Sequence, residues 1–207
     1  MSFEPTVFVV DDDSEVRDTL QWLVESVGLN IETFASAQEF LNAYDPKRPG
    51  CLVTDVRMPG MSGIELQAKL MAEEVTLPII IVSGYADVPT AVRSMKGGAI
   101  DFVEKPFNEQ MMLERIQLSI LEDARLRQKR AQGERAQARL QSLTPREHQV
   151  MDLVILGKSN KEIARELDIS PKTVEVHRSH VMAKMEAHSL AELVVTAERI
   201  ASTKGKP

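Results

Sequence analysis

Five apolar runs of strand length recur along the first half of the chain, each followed by apolar residues at helical spacing. The runs are TVFVV (6–10), IETF (31–34), CLVTD (51–55), PIIIVS (78–83) and DFVEK (101–105). The helical patterns are Val16, Leu20, Leu23, Val24 and Val27; Phe40 and Leu41; Ile64, Leu66 and Leu70; Val92 and Met95; and Met111 through Ile116 to Ile120. Strand and helix alternating in this way specify a parallel sheet covered on both faces. The predicted fold of this half is α/β, a five-stranded parallel doubly wound sheet.

From Asn108 to Ser142 there is no proline and one glycine, Gly133. The apolar stripe fades after Leu126 into ARLRQKRAQGERAQARLQ, good helix formers with no core to bury. Residues 122–141 are therefore expected to form a helical linker, partly continuous with the fifth helix. The expected domains are 4–121 and 142–204. The second is all helical and well punctuated. Thr144-Pro145-Arg146-Glu147 is a capping box with proline at the first helical position, and Gly157 closes that helix. Ser159 with Glu162 and Ser189 with Glu192 are two further boxes, and Ser170-Pro171 opens another helix. Four helices, with the tight turn LDIS between the second and third, predict a helix-turn-helix.

At 207 residues the chain has length for two proper cores. Its start, MSFEPT, lacks a basic-then-apolar leader, and no apolar run reaches the roughly 20 residues of a membrane span. The one cysteine, Cys51, allows no internal disulfide. A soluble cytoplasmic protein with no membrane partner is expected. The net charge of −6 is unevenly spread: −10 over residues 1–121, +3 over 122–141 and +1 over 143–207. An acidic front half cannot hold polyanions, so any nucleic-acid binding belongs to the back half.

Ligand sites in open α/β sheets lie at the carboxyl ends of the strands. Asp11 and Asp12 end the first strand, Asp55 the third, Ser83 the fourth and Lys105 the fifth. Adjacent carboxylates repel, although Asp13 or Ser14 also suits a helix cap. A set of carboxylates is a hard-oxygen site for Mg²⁺, which brings in phosphate. With its charge screened, one carboxylate can attack phosphorus and become an acyl phosphate, leaving a lysine and a hydroxyl for the phosphoryl oxygens.

VVDDD, LVTDVRMPGMSGIEL, IIIVSGYAD and DFVEKPF together resemble the receiver domain of two-component response regulators, a flavodoxin-like fold. TPREHQVMDLVILGKSNKEIARELDISPKTVEVHRSHVMAKM resembles the LuxR-type helix-turn-helix. The combination is similar to the FixJ type of the NarL/FixJ family, regulators of nitrogen-fixation and microaerobic genes. The resemblance implies that Asp55 is the phosphoacceptor. It implies that Asp12, Asp55 and the carbonyl of Arg57 bind Mg²⁺, with Asp11 acting through water. It further implies that Ser83 and Lys105 contact the phosphoryl group, that Phe102 is a switch aromatic, and that Lys105-Pro106 is cis. Asp13 and Ser83 stand where other members carry Glu or Thr. The implied partners are a sensor histidine kinase, promoter DNA, RNA polymerase and, once phosphorylated, a second copy of the chain. Val88, Val92 and Lys96, at i, i+4 and i+8 on the fourth helix, are the expected dimer face; packing of the two valines on the sheet is the alternative.

The second helix of a helix-turn-helix enters the major groove by its N-terminal residues. Here it is expected at about 171–185. Val174, His177, Val181 and Met185 should pack inward, leaving Thr173, Glu175, Val176 and Ser179 to read bases. An exposed valine suits a thymine methyl, and a glutamate accepts from cytosine N4. Lys172, Arg178 and Lys184, with Asn160 and Lys161, are expected at phosphates. A net charge of only +1 implies weak non-specific binding and reliance on dimerisation.

The function expected is a DNA-binding transcriptional regulator, an activator switched by phosphorylation, and not an enzyme beyond its own phosphotransfer and slow autodephosphorylation. One alternative is a Mg²⁺-dependent aspartyl-phosphate phosphatase, but Asp11-Asp12-Asp13-Ser14-Glu15 puts Glu where a D-x-D-x-[TV] motif needs Thr or Val. The other is a signalling scaffold without DNA binding. A kinase is disfavoured because no G-x-x-x-x-G-K-[ST] loop occurs.

Overall fold

The computed structural model describes residues 4–85 and 87–204. The chain divides into two compact units, residues 1–127 and 128–207.

In the first unit, strands β1 (Thr6–Val10), β2 (Asn30–Phe34), β3 (Gly50–Asp55), β4 (Ile79–Ser83) and β5 (Asp101–Glu104) alternate with helices. These helices are α1 (Ser14–Glu25), α2 (Ala37–Ala43), α3 (Gly63–Ala72), α4 (Val88–Lys96) and the first part of α5 (Glu109–Gln141), which runs on past residue 127. The sheet is parallel throughout, in the order β2-β1-β3-β4-β5. The near-continuous apolar runs serve two cores at once, because successive side chains point to opposite faces. Val7, Val9, Cys51 and Val53 pack with Leu20, Leu23 and Val24 of α1 and Met112 and Ile116 of α5. Phe8, Val10 and Leu52 pack on the other face with Phe40 of α2 and Leu66 and Leu70 of α3. The order turns back beside β1, so the carboxyl ends of β1 and β3 lie side by side.

The second unit contains α6 (Pro145–Ile155), α7 (Asn160–Leu167), α8 (Pro171–Lys184) and α9 (Leu190–Lys204). Thr144 and Ser159 cap α6 and α7 with reciprocal boxes to Glu147 and Glu162. The third box differs: Ser189 accepts the Glu192 amide, but the Glu192 carboxylate takes the amide of His188 rather than that of Ser189. Asp168, in the left-handed conformation, ends α7, and Ser170 caps α8 two residues later. Val150, Ile163, Val174, Val181, Met185 and Leu193 fill one core.

The segment expected as a coreless linker is gripped at both ends. Asp123 is buried within the first unit, whereas Ala136 is buried in the second core and Leu140 packs against it. The boundary expected at residue 121 thus falls inside the first unit, and the continuously exposed stretch is 128–132. The apolar pattern missed this because Asp123 is buried through hydrogen bonds, not hydrophobicity. Among the described residues no helix is long and apolar enough to cross a membrane.

Candidate functional site

The three adjacent aspartates take three different jobs. Asp13 caps α1, its side chain accepting from the Glu15 amide at 2.9 Å. Asp12 is exposed. Asp11 is 3% exposed and points across the carboxyl edge of the sheet, where Asp55, at the end of β3, is 7% exposed. Between them lies Lys105, one residue beyond β5. Its Nζ donates to Asp11 Oδ2 at 2.6 Å and to Asp55 Oδ1 at 2.7 Å. Two buried carboxylates thus share one ammonium. Asp11 Oδ1 accepts from the Asp13 amide, and Asp55 Oδ2 from the Arg57 amide.

Burial pushes the Asp11 carboxyl above its ordinary value, against the pull of Lys105 and the Asp13 amide. Burial alone would lower Lys105, but the two carboxylates raise its ammonium above the usual lysine value. The edge is therefore a cation-seeking pocket held together by one internal cation.

Local backbone makes this convergence possible. Gly63 opens α3 against the end of β3, where a Cβ would lie 2.1 Å from the Asp55 carbonyl oxygen. Only glycine lets the helix approach the acid so closely. Ser83 is buried at the end of β4, its hydroxyl donating to the Tyr85 carbonyl and accepting from the Tyr85 amide. The guanidinium of Arg57 lies 5.3 Å from the Tyr85 ring centroid, a cation–π contact that sequence reading missed. Lys105-Pro106 is cis. Phe102 is half-buried and packs against the core between α2, α3 and the sheet.

On α4 only Ser94 is buried. Val88 and Val92 are 76% and 45% exposed, so they do not pack on the sheet, and Lys96 is exposed beside them.

In the second unit, Val174, Val181 and Met185 of the α8 region face inward and His177 is half-buried. Lys172, Thr173, Glu175, Val176 and Ser179 are exposed, Arg178 is half-buried, and the start of α7 places Asn160 half-buried and Lys161 exposed. Ser170 and Thr173 hydroxyls lie 2.8 Å apart. Lys184 departs from its expected place at phosphates. Its Nζ donates to Glu147 Oε2 at 2.6 Å and to the Ser142 carbonyl at 3.2 Å, so its charge is engaged within the unit. Glu147 is 4% exposed, and the Lys184 ammonium, with the Thr144 amide, pulls its pKa down to about 2. Sequence reading found the cap made by Glu147 but not its ion pair, whose partner lies 37 residues away.

Residues 7–117 match the response regulator receiver domain family, and residues 141–197 match the bacterial regulatory proteins of the luxR family. The chain is 46% identical to the transcriptional regulatory protein FixJ of Bradyrhizobium diazoefficiens, over 96% of this chain and 97% of that protein. It is 41% identical to the response regulator protein TodT of Pseudomonas putida, over 94% of this chain and 86% of that one. Its structure is similar to that of the response regulator StyR, with a TM-score of 0.86 and 47% identity over 95% of this chain and 99% of that chain.

Proposed function

Because this chain belongs to the response regulators that join a receiver domain to a LuxR-type DNA-binding domain, and so is a two-component transcriptional regulator, we propose that Asp55 is its phosphoacceptor. A sensor histidine kinase would donate the phosphoryl group, and α8 would read promoter DNA. The observation that carries this reading is the shared Lys105 ammonium, which holds Asp11 and Asp55 together at the sheet edge. A carboxylate in that position gains a phosphoryl group beside a point charge ready for its oxygens. Ser83, beside Asp55, supplies a hydroxyl donor once it leaves the Tyr85 carbonyl.

Magnesium fits this donor set. Among the described residues no group of three or more His, Cys, Asp or Glu forms a metal cage by itself. Mg²⁺ does not require one, since it binds through one or two carboxylates, waters and phosphate. Asp12, Asp55 and the Arg57 carbonyl would hold it, with Asp11 through water. When bound, the ion would offset the charge that collects as phosphate meets carboxylate.

The receiver would span about 4–127 and the DNA-binding part about 136–204, a reading supported by the division of the chain after residue 127 and by the buried Ala136. Phosphorylation would favour a dimer through the exposed α4 face of Val88, Val92 and Lys96. Thr173, Glu175, Val176 and Ser179 would meet base edges. Lys161, Lys172, Arg178 and Asn160 would meet phosphates, with Lys184 left to hold α8. The protein would act as an activator, bringing RNA polymerase to its promoters.

The test is Mg²⁺-dependent labelling by acetyl phosphate. Wild-type protein takes up one phosphoryl group, and Asp55→Asn takes up none while its circular dichroism is unchanged. Labelling that survives in Asp55→Asn overturns the assignment.

A further inference from the structure

The edge of the receiver sheet opposite the acids carries a second set of charged groups. Helix α5 begins next to the carboxyl edge and runs back along the sheet. From Glu109 to Asp123 it advances about 21 Å, at about 1.5 Å per residue. The six residues of β3 span about 20 Å. Asp123 therefore arrives level with the first residues of the strands, where Thr6 pairs with Gly50.

There Asp123 is 1% exposed, and its Oδ2 accepts two hydrogen bonds: from the Gly50 amide at 2.9 Å and from Arg127 Nε at 2.7 Å. The rest of the Arg127 guanidinium donates to three consecutive carbonyls, of Pro46 at 3.2 Å, Lys47 at 3.1 Å and Arg48 at 2.6 Å. Gly50 is committed to this geometry, since a Cβ there would lie 1.8 Å from the Thr6 carbonyl oxygen. A planar guanidinium matches several acceptors at once in a way an ammonium does not. One turn of α5 is thus bolted to the strand entry by four hydrogen bonds, three of them from one arginine, which also pairs with Asp123 inside the turn. Immediately after it come the exposed residues 128–132.

A solvated arginine would not need a buried aspartate, and a simple i, i+4 surface pair would not reach a loop about 80 residues away. We propose that Asp123 and Arg127 form a clamp that fixes where the receiver ends and the connector begins. They are positioning residues: they touch no reacting atom, but whatever change the receiver passes to the connector must pass through a helix held at this point. The functional half of this inference rests on the reading of Asp55 as phosphoacceptor; the structural half does not.

The full-length protein tests both halves, as Arg127→Gln and as the milder Arg127→Lys, by amide hydrogen exchange. Loss of several charge-assisted hydrogen bonds at one place opens that place locally. In Arg127→Gln, the amides of Lys47, Arg48 and Gly50 and those of residues 120–127 are expected to exchange at least about tenfold faster, a change of about 1.4 kcal/mol. Amides of Val9 and Ile80 keep their rates, and Arg127→Lys falls between the two. Acetyl phosphate labelling of the receiver stays within about twofold of wild type, since the clamp lies at the far edge. The gain in promoter affinity on phosphorylation falls by at least about threefold, a readout that a mere staple would not move. Unchanged exchange at Lys47, Arg48, Gly50 and 120–127 overturns the clamp, as does equal loosening of Val9 and Ile80. Local loosening with an undiminished gain in affinity overturns its positioning role. If the wild-type receiver takes up no phosphoryl group, the reading of Asp55 fails, while the exchange rates still decide whether the clamp exists.

Discussion

At the sheet edge, Asp11 and Asp55 are 3% and 7% exposed and are joined through one ammonium; on α8, Thr173, Glu175, Val176 and Ser179 all stand in solvent. The difference fits the role proposed for each set. A group that accepts phosphate needs its charges placed before the reaction, in a site of low dielectric where a fixed ammonium acts strongly. A row that reads bases must keep its polar atoms in water until DNA replaces that water. The second unit instead buries its charge behind the proposed reading face. Glu147 and Lys184 tie α6 to the end of α8, so the exposed row rides on a helix anchored from within.

The comparison breaks most visibly if the shared ammonium is removed. Lys105→Met leaves two buried carboxylates facing each other without a cation, and taking away one partner of a buried pair costs about 3–5 kcal/mol. Denaturant melts should show that loss in the first unit alone. A loss below about 1 kcal/mol would mean that the acids are not preorganised by Lys105.

The equivalent change in the second unit should be smaller, because the Lys184 side chain is 36% exposed and its ammonium can turn to water. Glu147→Gln keeps a residue competent for the capping box but deletes the charge. It should destabilise the unit by about 1.5–3 kcal/mol, the range for a charged hydrogen bond. The pH dependence gives the sign. The Glu147 pKa is lowered from 4.5 to about 2 in the folded state. Its contribution is thus complete above about pH 4.5 and is lost as pH falls from there towards 2. Thermal melts of wild type between these values should lose stability that Glu147→Gln does not lose. Parallel profiles would remove the ion pair from the account.

How much of this was legible differs between the same two regions. The acids, Ser83 and Lys105 could be placed because strand ends are visible as the ends of apolar runs. The caps of Thr144, Ser159 and Ser170 could be placed because their partners lie three residues on. What escaped depends on distant backbone atoms. Asp123 meets the Gly50 amide across 73 residues, and no periodicity in the sequence marks a backbone acceptor or donor. Lys184 looked like a phosphate contact because its charge was visible and its partner was not. The cation–π contact of Arg57 with Tyr85 escaped for the same reason.

The smallest effect on stability is expected at the α4 face. Val88→Asp with Val92→Asp changes residues that touch little in the unit, so stability should move by no more than about 0.5 kcal/mol each. Light scattering of the phosphorylated protein should nonetheless report a lower mass than wild type at tens of micromolar, as befits a small, switchable interface. An unchanged mass would move the dimer contact elsewhere.

The central claim is that chemistry at the buried edge governs binding by the exposed row. The direct measurement is the affinity of the full-length protein for a DNA fragment selected from pooled genomic DNA, with and without acetyl phosphate and Mg²⁺, beside Asp55→Asn and residues 128–207 alone. Moving a two-state equilibrium from 1:99 to 99:1 requires about 5.5 kcal/mol, so even a partial shift is readily seen. The account predicts at least about a tenfold gain on phosphorylation for wild type, none for Asp55→Asn, and binding by residues 128–207 no weaker than that of the unphosphorylated whole chain. Equal affinities with and without the phosphoryl group would contradict it.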